Sequence, residues 1–237
     1  MARALWLSLT LSLAACGTPI GGEALADTVV DAPGAAPGMP YGDPQRAVNG
    51  VRGAGLMVGS TDVYSLNYTN RPYVTLRWSG RIVTNGPGAD FVVFENPFRT
   101  SSDAIAYFMD PIVVAVSLDG LRWVDLPHHY VAHDPTRYSS AIADWMGFAG
   151  LTPVIVNDDT NPMGWLDPRA GGDAFDLDEL ATTGDAGEIR AGGFRFVRLT
   201  SAAIVVNPDT GAVYPHDPIA NGADIDGVAA RAFVSDR

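Results

Sequence analysis

Residues 85–96 read NGPGADFVVFEN, and their centre is a run as apolar and strand-prone as any in the chain. The run FVVF, at 91–94, is bounded by turn residues, which is typical of a buried β-strand. Asp90 precedes it, and Glu95 and Asn96 follow it. In a strand, Glu95 projects to the same face as two of the apolar residues. A Glu on an apolar face needs a partner, because an unpaired buried charge is very costly.

The composition favours an all-β protein and excludes some partners. The chain has 237 residues, of which 47% are hydrophobic, so one all-β domain can bury a core. All 15 basic residues are Arg, and only four of the 27 acidic residues are Glu. Helical surfaces use Glu, Lys and Gln, so only two short helical turns are predicted, over 140–148 and 176–181. The net charge of −12 argues against nucleic acid as a partner.

The rest of the chain reads as short strands separated by turn residues about every ten residues. Asp119-Gly120 lies between the apolar runs 112–118 and 121–124, and such a DG pair predicts a hairpin in which both turn residues have positive φ. A second hairpin is predicted over 204–214. Many short strands with such turns predict a β-sandwich or a β-barrel.

The N-terminus has the pattern of a bacterial lipoprotein signal. Arg3 precedes an apolar stretch over 5–15 that is too short to span a bilayer. Cys16 is the only cysteine, and it ends the sequence LAAC, which looks like a lipobox. This pattern predicts a signal peptide over 1–15, a lipidated Cys16 with a short tether over 16–23, and one domain over 24–237. The alternative is an ordinary secretory signal in which Cys16 is incidental.

Export and lipidation would anchor the domain to the bacterial cell envelope, at the outer membrane or the cell surface. Stable exported domains often use disulfides, and a single cysteine allows none within the chain. A bound metal ion is the usual substitute for a disulfide.

Several segments together resemble an uncharacterised family of bacterial cell-surface proteins and lipoproteins, and the resemblance covers most of residues 24–237. The segments are 85–98, 110–127, 150–154, 167–180, 193–200 and 223–230. The sequences VSLDGLRW and FRFVRLT within them are also similar to discoidin-like, galactose-binding-like modules. That similarity implies a jelly-roll β-sandwich that binds ligands at its loop end, where calcium often holds the loops. Residues 128–149 and 202–222 match neither pattern.

Three acidic clusters in the matching segments are candidate calcium ligands, because calcium takes six to eight oxygens. The candidate metal ligands are Asp90, Glu95, Asn96, Asp173, Asp176, Asp178, Asp224 and Asp226. An arginine, such as Arg195 or Arg198, is the alternative partner for Glu95.

Other candidate sites are weaker. His129 and His133 share a strand face, as a zinc site can use, but no Cys or third ligand follows at close range, so a solvated strand edge is favoured over zinc. The chain has no G-x-S-x-G, P-loop or H-E-x-x-H motif. Trp78 and Trp123 lie within predicted strands and are assigned to the core. Trp145 and Trp165 lie in irregular segments and are the candidate ligand-binding aromatics.

These observations predict a non-catalytic binding module at the cell surface, with carbohydrate as a ligand class and calcium as a structural ion. The carbohydrate ligand rests on similarity of fold alone. Two alternatives stay open: a hydrolase of surface polysaccharide, and a structural surface protein.

Overall fold

The computed structural model describes residues 19–34, 40–68, 71–102 and 106–236. The strands are β1 (Pro19–Leu25), β2 (Thr28–Asp31), β3 (Tyr64–Ser65), β4 (Tyr73–Arg77), β5 (Arg81–Val83), β6 (Phe91–Glu95), β7 (Phe98–Arg99), β8 (Tyr107–Phe108), β9 (Ile112–Ser117), β10 (Val124–Asp125), β11 (His129–Tyr130), β12 (Trp145–Met146), β13 (Asp173–Phe175), β14 (Phe196–Ser201) and β15 (Asp224–Ser235). The helical elements are 3-10 turns at Pro44–Val48, Ile142–Asp144, Leu177–Glu179 and Ala202–Ile204, and the α-helix α1 (Gly184–Gly192).

Two antiparallel sheets form a β-sandwich. The first has the strand order β1-β15-β6-β13, with β3 and β5 also paired to β15, and the second has the order β10-β9-β14-β4-β2. One apolar core joins the facing sides of the two sheets, with Phe91 and Val228 from the first and Leu76, Val116 and Leu199 from the second. The prediction of an all-β sandwich with short helical turns is therefore confirmed.

The outer faces of both sheets are also covered. Val92 and Phe94 of β6 pack under a second apolar cluster that contains Val154 and Val156. A third cluster, which contains Val113 of β9, covers the outer face of the second sheet. Every residue of β6 and of β9 is consequently buried. Burial on both faces explains why these strands are continuous apolar runs rather than alternating ones.

The predicted hairpin around Asp119-Gly120 is present, but its turn type was predicted wrongly. Strand β10 pairs with β9 through Val124 and Val116, so the loop is longer than two residues. Gly120 has a φ of 76°, whereas Asp119 is not among the described non-glycine residues with positive φ. The Asp119 carboxylate instead accepts the backbone N–H groups of Leu121 and Arg122, each at 2.8 Å.

The second predicted hairpin, over 204–214, closes through a bridge between Val206 and Val213. The first predicted helical turn is shorter than expected, since only Ile142–Asp144 is a 3-10 turn and β12 follows it. The second predicted helical turn, over 176–181, is also shorter than expected and spans Leu177–Glu179. Helix α1 was not predicted, because three of its nine residues are Gly, and each Gly costs about 1 kcal/mol of helix propensity relative to Ala.

The domain begins earlier than the sequence suggested. Residues 19–23, predicted as part of a tether, belong to β1, which pairs with β15 from Pro19 opposite Val234. The predicted signal peptide and Cys16 lie outside the described residues. Within the described ranges, no helix combines the length and apolar character needed to cross a membrane.

Candidate functional site

The predicted metal ligands divide between the two ends of β6. Asp90 precedes this strand and Glu95 is its last residue. Five steps of about 3.3 Å along an extended chain place the Cα atoms of Asp90 and Glu95 about 16 Å apart. The eight candidate ligands therefore do not form one site.

At the Asp90 end, the carboxylate holds two loops together. Asp90 is fully buried. Its two oxygens accept the backbone N–H groups of Gly86, at 2.7 Å, and of Leu177, at 2.8 Å. Burial raises the pKa of Asp90, and these two hydrogen bonds oppose the rise. Both oxygens are thus satisfied by the chain itself.

Asp176 and Asp178 also have partners within the chain. Asp176 caps the 3-10 turn at Leu177–Glu179 by accepting the N–H of Asp178 at 2.8 Å. Asp178 pairs with Arg190 at 2.8 Å and accepts a hydrogen bond from Asn85 at 3.0 Å. These contacts explain the acidic residues at this end without a metal ion.

The other end of β6 is different, because Glu95 is buried and only half satisfied. Its side chain is 4% exposed. Oε1 accepts the backbone N–H of Asp224 at 2.8 Å. Oε2 has no hydrogen-bond partner among the described residues. A Cβ built on Gly150 would lie 3.6 Å from Oε2, so this oxygen points towards the Gly150 backbone.

Three more carboxylates surround Glu95 and raise its pKa through like charge. Glu95, Asp173 and Asp224 come from the first sheet, and Asp110 comes from the segment that leads into β9 of the second. We call these four residues the Glu95 cluster. They meet at the end of the sandwich where β6 ends and β9 begins.

The sequence did not single out Asp110, nor the two hydroxyl groups that bind the cluster. Tyr68 donates a hydrogen bond to Asp110, and Ser65 donates one to Asp224. Asp110 lies two residues before β9, much as Asp90 immediately precedes β6. An acidic residue just before a fully apolar run is the sequence feature that could have identified Asp110.

The arginine alternative for Glu95 is not realised. Arg195 pairs with Asp236 at 2.6 Å, and the guanidinium of Arg198 lies 3.8 Å from the ring centroid of Trp123. The ion pairs found among the described residues involve no member of the Glu95 cluster. Trp123 is only partly buried, so its assignment to the core was wrong, whereas Trp78 is a core residue.

Burial is the main cause of the raised pKa values in this region. It raises the pKa of Asp110 to about 7, although the Tyr68 hydroxyl opposes the rise. It raises the pKa of Asp173 to about 6, against hydrogen bonds from residues 150–152. The pKa of Glu95 lies well above its usual value, first because of burial and then because of Asp110 and Asp224. The pKa of Asp224 is raised by burial as well. Several carboxyl groups therefore share one poorly solvated region, where the ionisation of one disfavours the ionisation of the others.

Asn96 and Asp226 lie beside the cluster and hold a surface loop. Both oxygens of Asp226 accept the backbone N–H of Arg52, at 2.9 and 3.0 Å. Asn96 Oδ1 accepts the N–H of Ser60 at 3.2 Å, and its Nδ2 donates to the backbone oxygen of Asp224 at 3.4 Å. A β-bulge between Ile225 and Gly227 places Asp226 at the irregularity. Burial raises the pKa of Asp226 to about 7.

The loop held by Asn96 and Asp226 forms one wall of an open cleft of about 800 Å³. We call this feature the loop cleft. It is lined by residues 52–55, 58–62, 155, 157 and 159–161. Arg52 bridges the two walls, because its side chain pairs with Asp159 at 2.8 Å.

Neither predicted ligand-binding tryptophan lines this cleft. Trp145 is 1% exposed. It packs among Tyr130, Phe148 and Tyr214, and its Nε1 donates to a backbone oxygen at 2.8 Å. Its ring is thus covered, and its assignment as a stacking platform is corrected. Trp165 is half-buried, and its Nε1 donates to Asp158 at 3.0 Å.

The histidines carry no metal arrangement. His129 and His133 are both exposed, as expected of a solvated strand edge. Over the parts of the chain that the structure describes, no three or more His, Cys, Asp or Glu side chains are already arranged to hold a metal ion. Comparison of the chain with protein-family models, with curated proteins and with solved structures found no match.

Proposed function

We propose that this chain is an exported, lipid-anchored binding module that recognises a polar ligand, such as a glycan of the cell surface, in the loop cleft. The observation that carries the proposal is the composition of that cleft. Its lining is rich in Gly backbone and in Ser, Thr, Asn and Asp side chains. Such groups donate and accept hydrogen bonds in many directions, which suits a ligand that carries several hydroxyl groups.

The support that fixes the cleft walls favours binding. Arg52 N and Ser60 N, on one wall, are each held by a buried side chain, Asp226 of β15 and Asn96 directly after β6. On the opposite wall, Asn157 donates to the Gly53 oxygen at 3.0 Å. A wall that is held in place before the ligand arrives loses little freedom on binding.

The position of the carboxylates favours binding over hydrolysis. A glycosidase needs two carboxyl groups that reach the substrate, one of them with a raised pKa. Of the groups with raised pKa values in this region, Glu95 and Asp110 are only 4% and 5% exposed, and neither they nor Asp173, Asp224 and Asp226 line the cleft. The acids that do line it, Asp62 and Asp159, are engaged by Arg46 at 3.6 Å and Arg52 at 2.8 Å.

A glycan array tests the proposal. The Cys16→Ser protein, purified as a soluble chain, should bind a subset of glycans weakly, and Ala54→Trp should abolish that binding. Ala54 is exposed and lines the cleft, so a Trp there blocks the cleft without disturbing the core. Ala181→Trp is the matched control, because Ala181 is exposed elsewhere. Binding that survives Ala54→Trp, or release of cleaved sugar from any bound glycan, would contradict the proposal.

A further inference from the structure

We propose that the Glu95 cluster binds one hard divalent cation of the calcium class, with Glu95, Asp110 and Asp224 as carboxylate ligands. The cation site deepens the proposed function, because the same strand ends hold the wall of the loop cleft. Its existence does not depend on which ligand the cleft takes.

One carboxylate oxygen of Glu95 is buried without a partner among the described residues. This oxygen, Oε2, has no hydrogen-bond partner in the described part of the chain. Glu95 itself is only 4% exposed. Leaving a charged oxygen in that condition costs far more than a neutral group would. A cation beside Oε2 removes this cost directly.

Among the described residues, no ion pair supplies a positive partner to the Glu95 cluster. Asp110, Asp173 and Asp224 all raise the pKa of Glu95. Asp217 adds further negative potential at Asp110 and Tyr68. Among the described ion pairs, the arginines are engaged with acids outside the cluster. No described ion pair therefore balances the ionised form of the cluster, and a bound cation would do so.

The remaining neighbours do not supply that balance. Tyr68 and Tyr138 face the same volume, and burial raises the pKa of both phenols, so they stay neutral at physiological pH. The ring of His216 packs against Tyr68, with centroids 4.6 Å apart, and makes none of the described ion pairs. Protons on the carboxylates are the competing explanation. A proton on Glu95 Oε2, however, would find no acceptor among the described residues.

The donor atoms select the kind of ion. The cluster offers carboxylate oxygens and the Ser65 hydroxyl, with no Cys or His within it. Oxygen-only sets suit calcium or magnesium rather than zinc or copper. Asp110 lies in the segment that leads into β9, and Asp224 is the first residue of β15, so neither lies in the middle of a strand. Calcium tolerates such irregular geometry, whereas magnesium demands a near-ideal octahedron.

Gly150 supplies the space beside Oε2. Its φ is +81°, and a Cβ there would lie 2.5 Å from the backbone oxygen of Asp110. A side chain would therefore cover both that carbonyl oxygen and the Glu95 carboxylate. The carboxylates as placed do not form a finished set of three ligands. Ion binding should consequently draw Asp110 and Asp224 towards Glu95.

Metal titration of the Cys16→Ser protein, stripped of metals, tests the proposal. Terbium luminescence, sensitised by nearby aromatic rings such as Tyr68, and calorimetry with calcium should both report one site. The expected Kd is about 10⁻⁴–10⁻³ M. Calcium at about a hundred times Kd should raise the melting temperature by about 5–10 °C. Glu95→Gln and Asp110→Asn should each weaken binding at least tenfold.

Asp178→Asn is the matched control, because Asp178 lies at the opposite end of β6 and pairs with Arg190. It should leave the titration unchanged. Glu95→Gln replaces a buried charge with a neutral amide, so the stripped variant should melt no lower than stripped wild type. A wild-type protein that gives neither a terbium signal nor a calcium shift would overturn the site. Ion binding that survives Glu95→Gln would overturn it too.

These results separate the two proposals. Ala54→Trp should abolish glycan binding and leave the calcium titration intact, since Ala54 lies in the cleft and not in the cluster. Calcium binding without glycan binding would support the cation site and contradict the proposed glycan function. Glycan binding without any response to cations would support the glycan function and contradict the cation site.

Discussion

Raising the pH should destabilise the metal-stripped protein, which is the reverse of what ordinary acidic residues do. Burial raises the pKa of Asp110 from 3.8 to about 7. The folded state therefore binds this proton more tightly than the unfolded state does. The resulting stabilisation is complete below about pH 4 and is lost as the pH rises through about 7. Glu95, whose pKa is also raised, acts in the same direction.

The size of the effect follows from the shift of one carboxyl group. For Asp110 alone, the free energy of unfolding should fall by about 2.5 kcal/mol between pH 5 and pH 8. The carboxylates of the cluster are coupled, so their contributions do not add. Against a typical stability of about 5–15 kcal/mol, a loss of this size is readily measured. Asp167, whose pKa is lowered to about 2, titrates below this range and does not mask the effect.

Urea unfolding followed by tryptophan fluorescence measures this slope, because Trp78 and Trp145 are buried. The midpoint should fall from pH 5 to pH 8 in stripped protein. It should fall less in Asp110→Asn and in Glu95→Gln, while Asp178→Asn should match wild type. Added calcium should restore stability at pH 8 and have little effect at pH 5, where protons compete for the ligands. A stability that is flat or rising from pH 5 to pH 8 in stripped wild type would refute the reasoning.

Three further predictions concern other parts of the structure. Gly150→Ala should lower the free energy of unfolding by about 2 kcal/mol and weaken calcium binding, because its Cβ would lie 2.5 Å from the Asp110 backbone oxygen. Urea unfolding and calcium titration measure the two effects, and unchanged values would contradict the prediction. Asp226→Ala should release the Arg52 backbone N–H, so the loop that forms one wall of the loop cleft should be cleaved faster by proteases and glycan binding should fall. A loop as resistant to proteolysis as in wild type would argue against a role for Asp226 in holding this wall. If acyl chains on Cys16 anchor the protein as proposed, Cys16→Ser should move it from the membrane fraction to the soluble fraction. Wild-type protein with an unmodified Cys16 in the soluble fraction would exclude lipidation.

The strands of the sandwich were accessible from sequence because their apolar runs are local signals. The run at 91–94 predicted β6, and 112–118 predicted β9. The sequence did not show why apolar and polar residues fail to alternate along these two strands. The outer faces are covered by residues such as Val154 and Phe148, from segments distant in sequence. The burial of Trp145 has the same origin, since the unmatched stretch 128–149 builds its own apolar cluster on the second sheet.

The site was predicted only in part, for a geometric reason. Asp90 and Glu95 look equivalent in the sequence, yet a strand places them at opposite ends and gives them different neighbours. Asp110 joins Glu95 only because two sheets meet there, and such long-range contacts leave no local pattern. The partner of Arg195 could not be foreseen either, since Asp236 reaches it from the other end of the chain.

A crystal structure of the protein grown with calcium tests the cation site most directly. We predict one ion beside Glu95 Oε2, with carboxylate oxygens of Glu95, Asp110 and Asp224 at about 2.3–2.6 Å and six to eight oxygens in all. The end of β6 at Asp90 should show no ion, because its oxygens already bind the backbone of Gly86 and Leu177. Carboxyl groups of the Glu95 cluster that hydrogen-bond directly to one another, with no ion between them in the presence of calcium, would contradict the account.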